Sequence, residues 1–213
     1  MANKMPLVTA LVLVMGVTCS CFDPCDGAQA WQGDALIHSD EDVALLEGML
    51  CVKGHLLIGN VSLDLNNGVV LDTVSSEPPS VSSLAALDKL QLVERYLVVQ
   101  ATGSLHDLKG LEHLTEVGRE ARFDPSTEAI FIRGALWLQE NGSLETLAGL
   151  EALTHIGSSL HISDNPVLGN IDGLSALNQV GGDFRIRDNP QLPASAIQKL
   201  KQHVKVAGDV EMQ

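Results

Sequence analysis

The chain has 213 residues, of which 45% are hydrophobic and only 3% aromatic. Thirteen Lys and Arg stand against 27 Asp and Glu, a formal net charge of −14. That balance excludes the cationic face a nucleic-acid binder needs to displace counterions from phosphate, and the apolar content excludes a disordered acidic chain.

Residues 1–4 are short and polar with one cation, Lys4, and residues 7–18 are almost wholly apolar. This is the layout of an export signal, expected over 1–20, followed by a linker over 21–32. The apolar run falls short of the ~20 residues that cross a bilayer. Cys19, Cys21 and Cys25 follow it directly. A cysteine straight after an exported apolar run resembles the lipobox of bacterial lipoproteins, in which the thiol becomes thioether-linked to diacylglycerol. Cys19 is the first candidate because it abuts the run, and Cys21 is the alternative. Neither has Leu at the first of the three preceding places, where the lipobox prefers it. Signal cleavage after Ala28-Gln29-Ala30 is the competing outcome, with a mature chain starting at Trp31.

Cysteines of exported chains tend to pair. Cys51 is the only one beyond residue 25. With Cys19 or Cys21 acylated, Cys25 is its natural partner. The bond closes a loop of 26 residues and is worth about 3 kcal/mol in the chain-entropy model. The spacing of Cys19, Cys21 and Cys25 fits none of the usual zinc pairs, so no metal is expected there.

From residue 33 to 213 the chain repeats. The first unit, near 36–60, is divergent: Val43, Leu46, Met49 and Val52 keep a three-residue step, and Leu56 and Ile58 form its strand. A long segment, 59–80, follows; within it Asp64 to Gly68 is read as an Asx-rich turn. Further units lie near 81–104, 105–143, 144–167 and 168–192. Leu144, Leu147, Leu150 and Leu153 stand 24 residues before Leu168, Ile171, Leu174 and Leu177. The unit beginning at Leu105 is longer by 15 residues, inserted between Gly118 and Ala135.

Each unit has an apolar residue at every third place and then an alternating stretch such as Leu160-His161-Ile162-Ser163, a half-buried strand. One unit alone leaves its apolar side in water. Stacked units bury it, each Leu above the Leu of the coil before. Asn141, Asn165 and Asn189 share one register, as inward amides satisfying backbone groups at a bend. Asn60-Val61-Ser62 and Asn141-Gly142-Ser143 also read as glycosylation sequons, a weak pattern. Residues 193–213 form the cap: Ile197, Leu200 and Val204 make one helical face, and residues 209–212 a final edge strand.

The whole mature chain resembles the receptor L domain, the leucine-rich solenoid of insulin- and EGF-receptor ectodomains, and more closely its bacterial exported and lipoprotein branch. The resemblance rests on Gly33-Asp34, Asp42-Val43 and Leu46; on Cys51-Val52-x-Gly54-x-Leu56-x-Ile58; on the Leu-x-Gly-Leu-x-x-Leu runs at 108–114 and 147–153, and with Ile171 at 171–177; and on Val180-Gly181-Gly182, two Asp-Asn-Pro corners and Leu192-Pro193 before the cap. It implies an α/β repeat: a right-handed leucine-rich solenoid with parallel strands and a C-terminal capping helix. It also implies a binding or scaffold role without shared catalytic residues.

No nucleophile elbow or nucleotide-binding glycine pattern occurs. Seven histidines are present, none at the zinc-protease spacing, and solvated surface positions are expected for them. No cofactor or metal is expected, and no catalytic residue is assigned. The outward strand positions stack Val98, Trp137, His161 and Arg185, with Gln100, Gln139, Ser163 and Arg187 alongside. Trp137, His161, Arg185 and Arg187 are the candidate contact surface for a peptide, protein or glycan. The bland alternative buries Trp137 under the 119–134 insertion, on Phe123 or Phe131. The expectation is an exported cell-envelope binding module, not an enzyme, tied to a membrane by an N-terminal lipid. The rival is a secreted hydrolase or metal enzyme with its site on the inserted loops.

Overall fold

The computed structural model describes residues 23–65, 69–72, 77–119, 123–124, 129–130 and 134–212. Within them the chain winds as a stack of coils carrying two parallel seven-stranded sheets. The narrow sheet consists of Ala30–Trp31, Cys51–Val52, Leu92–Val93, Glu116–Val117, His155–Ile156, Gln179–Val180 and Lys205–Val206. The broad sheet consists of Ala35–Ile37, Leu56–Gly59, Leu97–Gln100, Leu136–Gln139, Leu160–Ser163, Phe184–Arg187 and Val210–Met212. Each coil crosses the narrow sheet, turns a short corner, crosses the broad sheet and returns along a third side.

The expected strand frame holds to the residue. Leu97 pairs with Leu136, Leu136 with Leu160, and Leu160 with Phe184. Alternation puts these residues and their i+2 neighbours inside; Leu138, Ile162 and Ile186 are buried with them. Val52, Val93, Val117, Ile156 and Val180 of the narrow sheet join the same core, as do Leu150 and Leu174.

The third side accounts for the three-residue step. Leu111 N–H donates to Leu108 at 3.2 Å and Leu114 N–H to Leu111 at 2.9 Å. The same bonds recur at Leu150, Leu153, Leu174 and Leu177. These are i to i+3 bonds, so the side is a chain of tight turns with a period of three. Regular 3-10 pieces occur at Ala85–Leu87 and Asp172–Leu174. The α/β label is thereby corrected: α-helix is found at the two ends of the stack, and the inner coils between them use tight turns. The glycine of the Leu-x-Gly-Leu runs also has a reason. Gly149 sits at φ 111° with its Cα against the Leu108 carbonyl, where a Cβ would collide.

Asn141, Asn165 and Asn189 form the expected ladder, all buried. Asn165 N–H and Nδ2 donate to Asn189 Oδ1 at 3.2 and 3.1 Å. Asn141 N–H and Nδ2 donate to Asn165 Oδ1, both at 3.1 Å. Their amides also donate to strand carbonyls, for example Asn141 Nδ2 to Val99 at 2.9 Å. Each follows a residue in the left-handed region, Glu140, Asp164 or Asp188, which aims the amide inward. One coil earlier Thr102 takes the place, its hydroxyl donating to Asn141 Oδ1 at 2.7 Å. Buried in this ladder, Asn141 is not an accessible glycosylation acceptor.

At the C-terminal end the helix Ala194–His203 buries Ile197 and Leu200 against the last coil, and Val210–Met212 adds the final strand. At the other end the stack begins earlier than expected. Ala30–Trp31 pairs with Cys51–Val52, so the first rung lies inside the segment read as a linker, 21–32. A short helix, Asp40–Ala44, follows that rung, with Ser39 and Asp42 forming a reciprocal capping box. The two long segments carry antiparallel hairpins, Ser62–Leu65 with Val69–Asp72 and Phe123–Asp124 with Ala129–Ile130. Residues 66–68 of the Asx-rich turn lie outside the described residues.

Candidate functional site

The outer face of the broad sheet is assembled from successive coils. Trp137 stands beside Val98 on one side and His161 on the other, and His161 beside Arg185. Gln100, Gln139, Ser163 and Arg187 form the next column. All four predicted surface residues are therefore brought together.

The face has two halves. In the early coils Leu57, Val61, Tyr96, Val98 and Ala135 form a second apolar cluster, with Trp137 packed against it. Tyr96 also lies near His55, ring centroids 5.2 Å apart, and its backbone N–H donates to His55 Nδ1 at 3.3 Å. In the later coils the face is ionic. Arg185 pairs with Asp183 at 2.8 Å and Glu211 at 3.6 Å. Arg187 lies 4.0 Å from Asp188 with about half its side chain exposed.

Trp137 and His161 mark the seam. Their rings stack at 4.5 Å with 19° between planes. Trp137 is half-buried, while His161 is only 6% exposed. His161 Nε2 lies 3.0 Å from Ser163 Oγ. Burial, then Arg187 and Arg185, push the His161 pKa below its ordinary value, so the ring is neutral at neutral pH and stacks without a net charge. Ser163 has no exposed surface; its hydroxyl orients the ring and does not meet a substrate. The patch presents part of Trp137 and the side chains of Arg185 and Arg187 to solvent, with the buried His161 stacked against Trp137.

Two expectations about histidine are corrected. His161 and His55 are buried, not solvated, because both outward positions lie among large neighbours of adjacent coils. Burial pushes His55 below its ordinary pKa as well. Phe123 and Phe131, the proposed cover of Trp137, have side chains outside the described residues. Tyr96 and His55 were missed as site neighbours; both lie one place before a broad strand and so share its outward face.

The N-terminal segment is clasped to the stack at two points. Cys25 and Cys51 form the expected disulfide, Cα atoms 5.1 Å apart. Both are buried with Ala30 and Leu92. Arg119 grips the Asp23 carboxylate through two nitrogens, Nη1 to Oδ2 at 2.8 Å, and reaches Glu94 at 3.5 Å. Burial pushes the Glu94 carboxyl up, and Arg119 offsets part of that. Cys25, Cys51 and Glu94 converge closely enough for a metal, but both sulfurs are committed to each other. Cys19 and Cys21 lie outside the described residues. No helix among the described residues is long and apolar enough to cross a membrane.

No family model and no curated protein matches this chain.

Proposed function

We propose that the protein is an exported binding module of the cell envelope, a solenoid of receptor L-domain type tied to a membrane by an N-terminal lipid on Cys19, with Cys21 as the alternative. It captures a peptide, protein or glycan on the outer face of the broad sheet. The observation that carries this reading is the Trp137–His161 stack beside Arg185 and Arg187. The part of the Trp137 ring left exposed, next to a half-exposed guanidinium, suits contact with a sugar or a planar side chain, with Arg187 meeting a carboxylate or hydroxyl. The L-domain type is supported by the amide ladder, the glycine of the leucine runs and the capping helix.

The lipid reading gains support from the clasp. Cleavage after Ala30 removes Cys25, leaves Cys51 unpaired, releases Asp23 from Arg119 and takes half of the first strand. Cleavage ahead of Cys19 or Cys21 keeps all of these contacts. Globomycin treatment with mass analysis of the mature N-terminus tests it. The reading expects precursor to accumulate and the mature chain to begin at a diacylglyceryl cysteine. A lipid-free start at Trp31 overturns it.

The face is tested on glycan and peptide arrays. Ligands held by the wild type should be lost from Trp137→Ala and weakened by Arg187→Ala, with unfolding midpoints measured alongside to exclude collapse. Unchanged array profiles in both variants would place binding elsewhere.

A further inference from the structure

We infer that copies of this chain join end to end, the last rung of one seated on the first rung of the next, so that both sheets run on across the junction. The two end rungs have the form of the inner ones. Narrow and broad strands start five residues apart at Ala30 and Ala35 and at Lys205 and Val210, as they do at Gln179 and Phe184. These end strands are the outermost of their sheets. All three exposed large hydrophobic residues among those described, Leu36, Leu45 and Val210, lie on the end coils. Val210 continues the inward column of Phe184, yet it is 41% exposed because no strand lies beyond it among the described residues.

The backbone groups suit the same junction. Ala35 N–H donates to His55 and Phe184 N–H to Asp209, so this column faces the following coil and the alternate residues face the preceding one. The last rung therefore turns Val210 and Met212 toward its open edge, and the first rung turns Leu36 toward its own. Such edges are templates for another chain. Neighbouring groups on the first edge are already taken, the Asp34 carbonyl by Trp31 Nε1 and the His38 N–H by the Asp42 carboxylate. A parallel junction with Val210, Glu211 and Met212 beside Ala35, Leu36 and Ile37 leaves both in place. It needs only Leu36 N–H to donate to Val210 and Met212 N–H to Leu36.

Charge selects a second copy as the occupant. Residues 30–52 hold five Asp and Glu and no Lys or Arg, whereas residues 193–206 hold three Lys and no Asp or Glu. Lys199 is paired with Asp172. Glu41, Glu47 and Lys205 are exposed and Lys201 half-buried, and none of these four makes an ion pair among the described residues. On the third side, the junction places the helix Asp40–Ala44 of one copy two rungs from the helix Ala194–His203 of the other. At about 4.8 Å per rung that is about 9.6 Å, within the 8–10 Å at which helices pack. The contact joins unlike surfaces, so each added copy leaves a free end and the product is a series, not a closed pair.

The test uses the full-length mature chain. Leu36→Cys and Glu211→Cys, exposed at opposite ends, are placed together in one chain, which is then mildly oxidised. End-to-end contact predicts a ladder of dimers, trimers and longer species on non-reducing gels, absent from the wild type and from either single variant. In this background Glu41→Lys with Glu47→Lys, or Lys201→Glu with Lys205→Glu, should each reduce the ladder to the wild-type level, and mixing the two charge-reversed chains should restore it. A dimer formed by Glu211→Cys alone, without a ladder, means two-fold pairing of the last strands and overturns the end-to-end contact. So does a dicysteine chain that stays monomeric. Sedimentation of the wild type keeps the test decisive if a variant misfolds. Its average mass should rise with protein concentration and fall with added salt, and a mass fixed at one chain throughout overturns the contact.

Discussion

Coils 144–192 and the coils before residue 120 solve the same packing problem by different means. The later coils keep an unbroken 24-residue step, a ladder running from Asn189 through Asn165 to Asn141, and tight turns that place Leu174 over its predecessors. In the earlier coils the ladder position passes to Thr102, long segments leave the stack, and an outer apolar cluster, a disulfide and an ion pair are added. Repetition stabilises one half, and individual cross-links hold the other. A solenoid therefore tolerates divergence where each lost repeat contact is replaced by a specific one.

The largest expected effect lies in the regular half. Leu174→Ala should cost about 2–5 kcal/mol in urea unfolding, since it empties a place shared by adjacent coils. A loss under about 1 kcal/mol would mean that the column is loosely packed. In the irregular half, the double variant Cys25→Ser and Cys51→Ser should lose about 3 kcal/mol. Hydrogen exchange should rise around the Ala30–Trp31 rung and not around Phe184–Arg187; a uniform rise would erase the distinction between the halves. Next come the two ladder types. Asn165→Ala takes the acceptor from the Asn141 N–H and a donor from the Leu138 carbonyl, at about 1–3 kcal/mol per group left unsatisfied, while the Ser163 carbonyl keeps the Glu140 N–H. Thr102→Val, at the end of the ladder, should cost about 1 kcal/mol. Equal costs would contradict a cumulative ladder.

The smallest effect is the pH dependence. His161 and His55 both have folded pKa values below the ordinary 6.5. As pH falls below 6.5 the unfolded chain takes up protons before the folded one, so stability holds above that value and declines toward the folded values. Replacing His161 with Gln should flatten that decline while His55 retains its share, read from unfolding midpoints between neutral and mildly acidic pH. An unaltered slope would show that the ring is not held neutral.

What was legible in the sequence was what repeats or is chemically singular. The Leu144 to Leu177 alignment, the three asparagines, the outward column through Trp137 and the Cys25–Cys51 pair all follow from strict spacing or from elimination. The narrow sheet was not legible, because a two-residue strand such as His155–Ile156 has no period to detect. The first rung hid for the same reason, with Ala30–Trp31 placed inside an apparent processing site. The burial of His161 and His55 was missed because an outward strand position is normally wet, and only neighbours brought in from other coils exclude water there. The third side was half legible: its three-residue step is plain in the sequence, but that spacing suits a tight turn and an extended edge alike, and only the i to i+3 bonds decide between them.

The central claim is that residues 24 apart lie directly over one another, and that this stacking builds the face. A proton NOE spectrum tests it without perturbing the protein. The account predicts cross-peaks between the Trp137 indole and the His161 imidazole, together with cross-peaks between the narrow-strand side chains of Ile156 and Val180 that pair in register. If both sets are missing from a folded sample, the coils do not stack and the face does not exist.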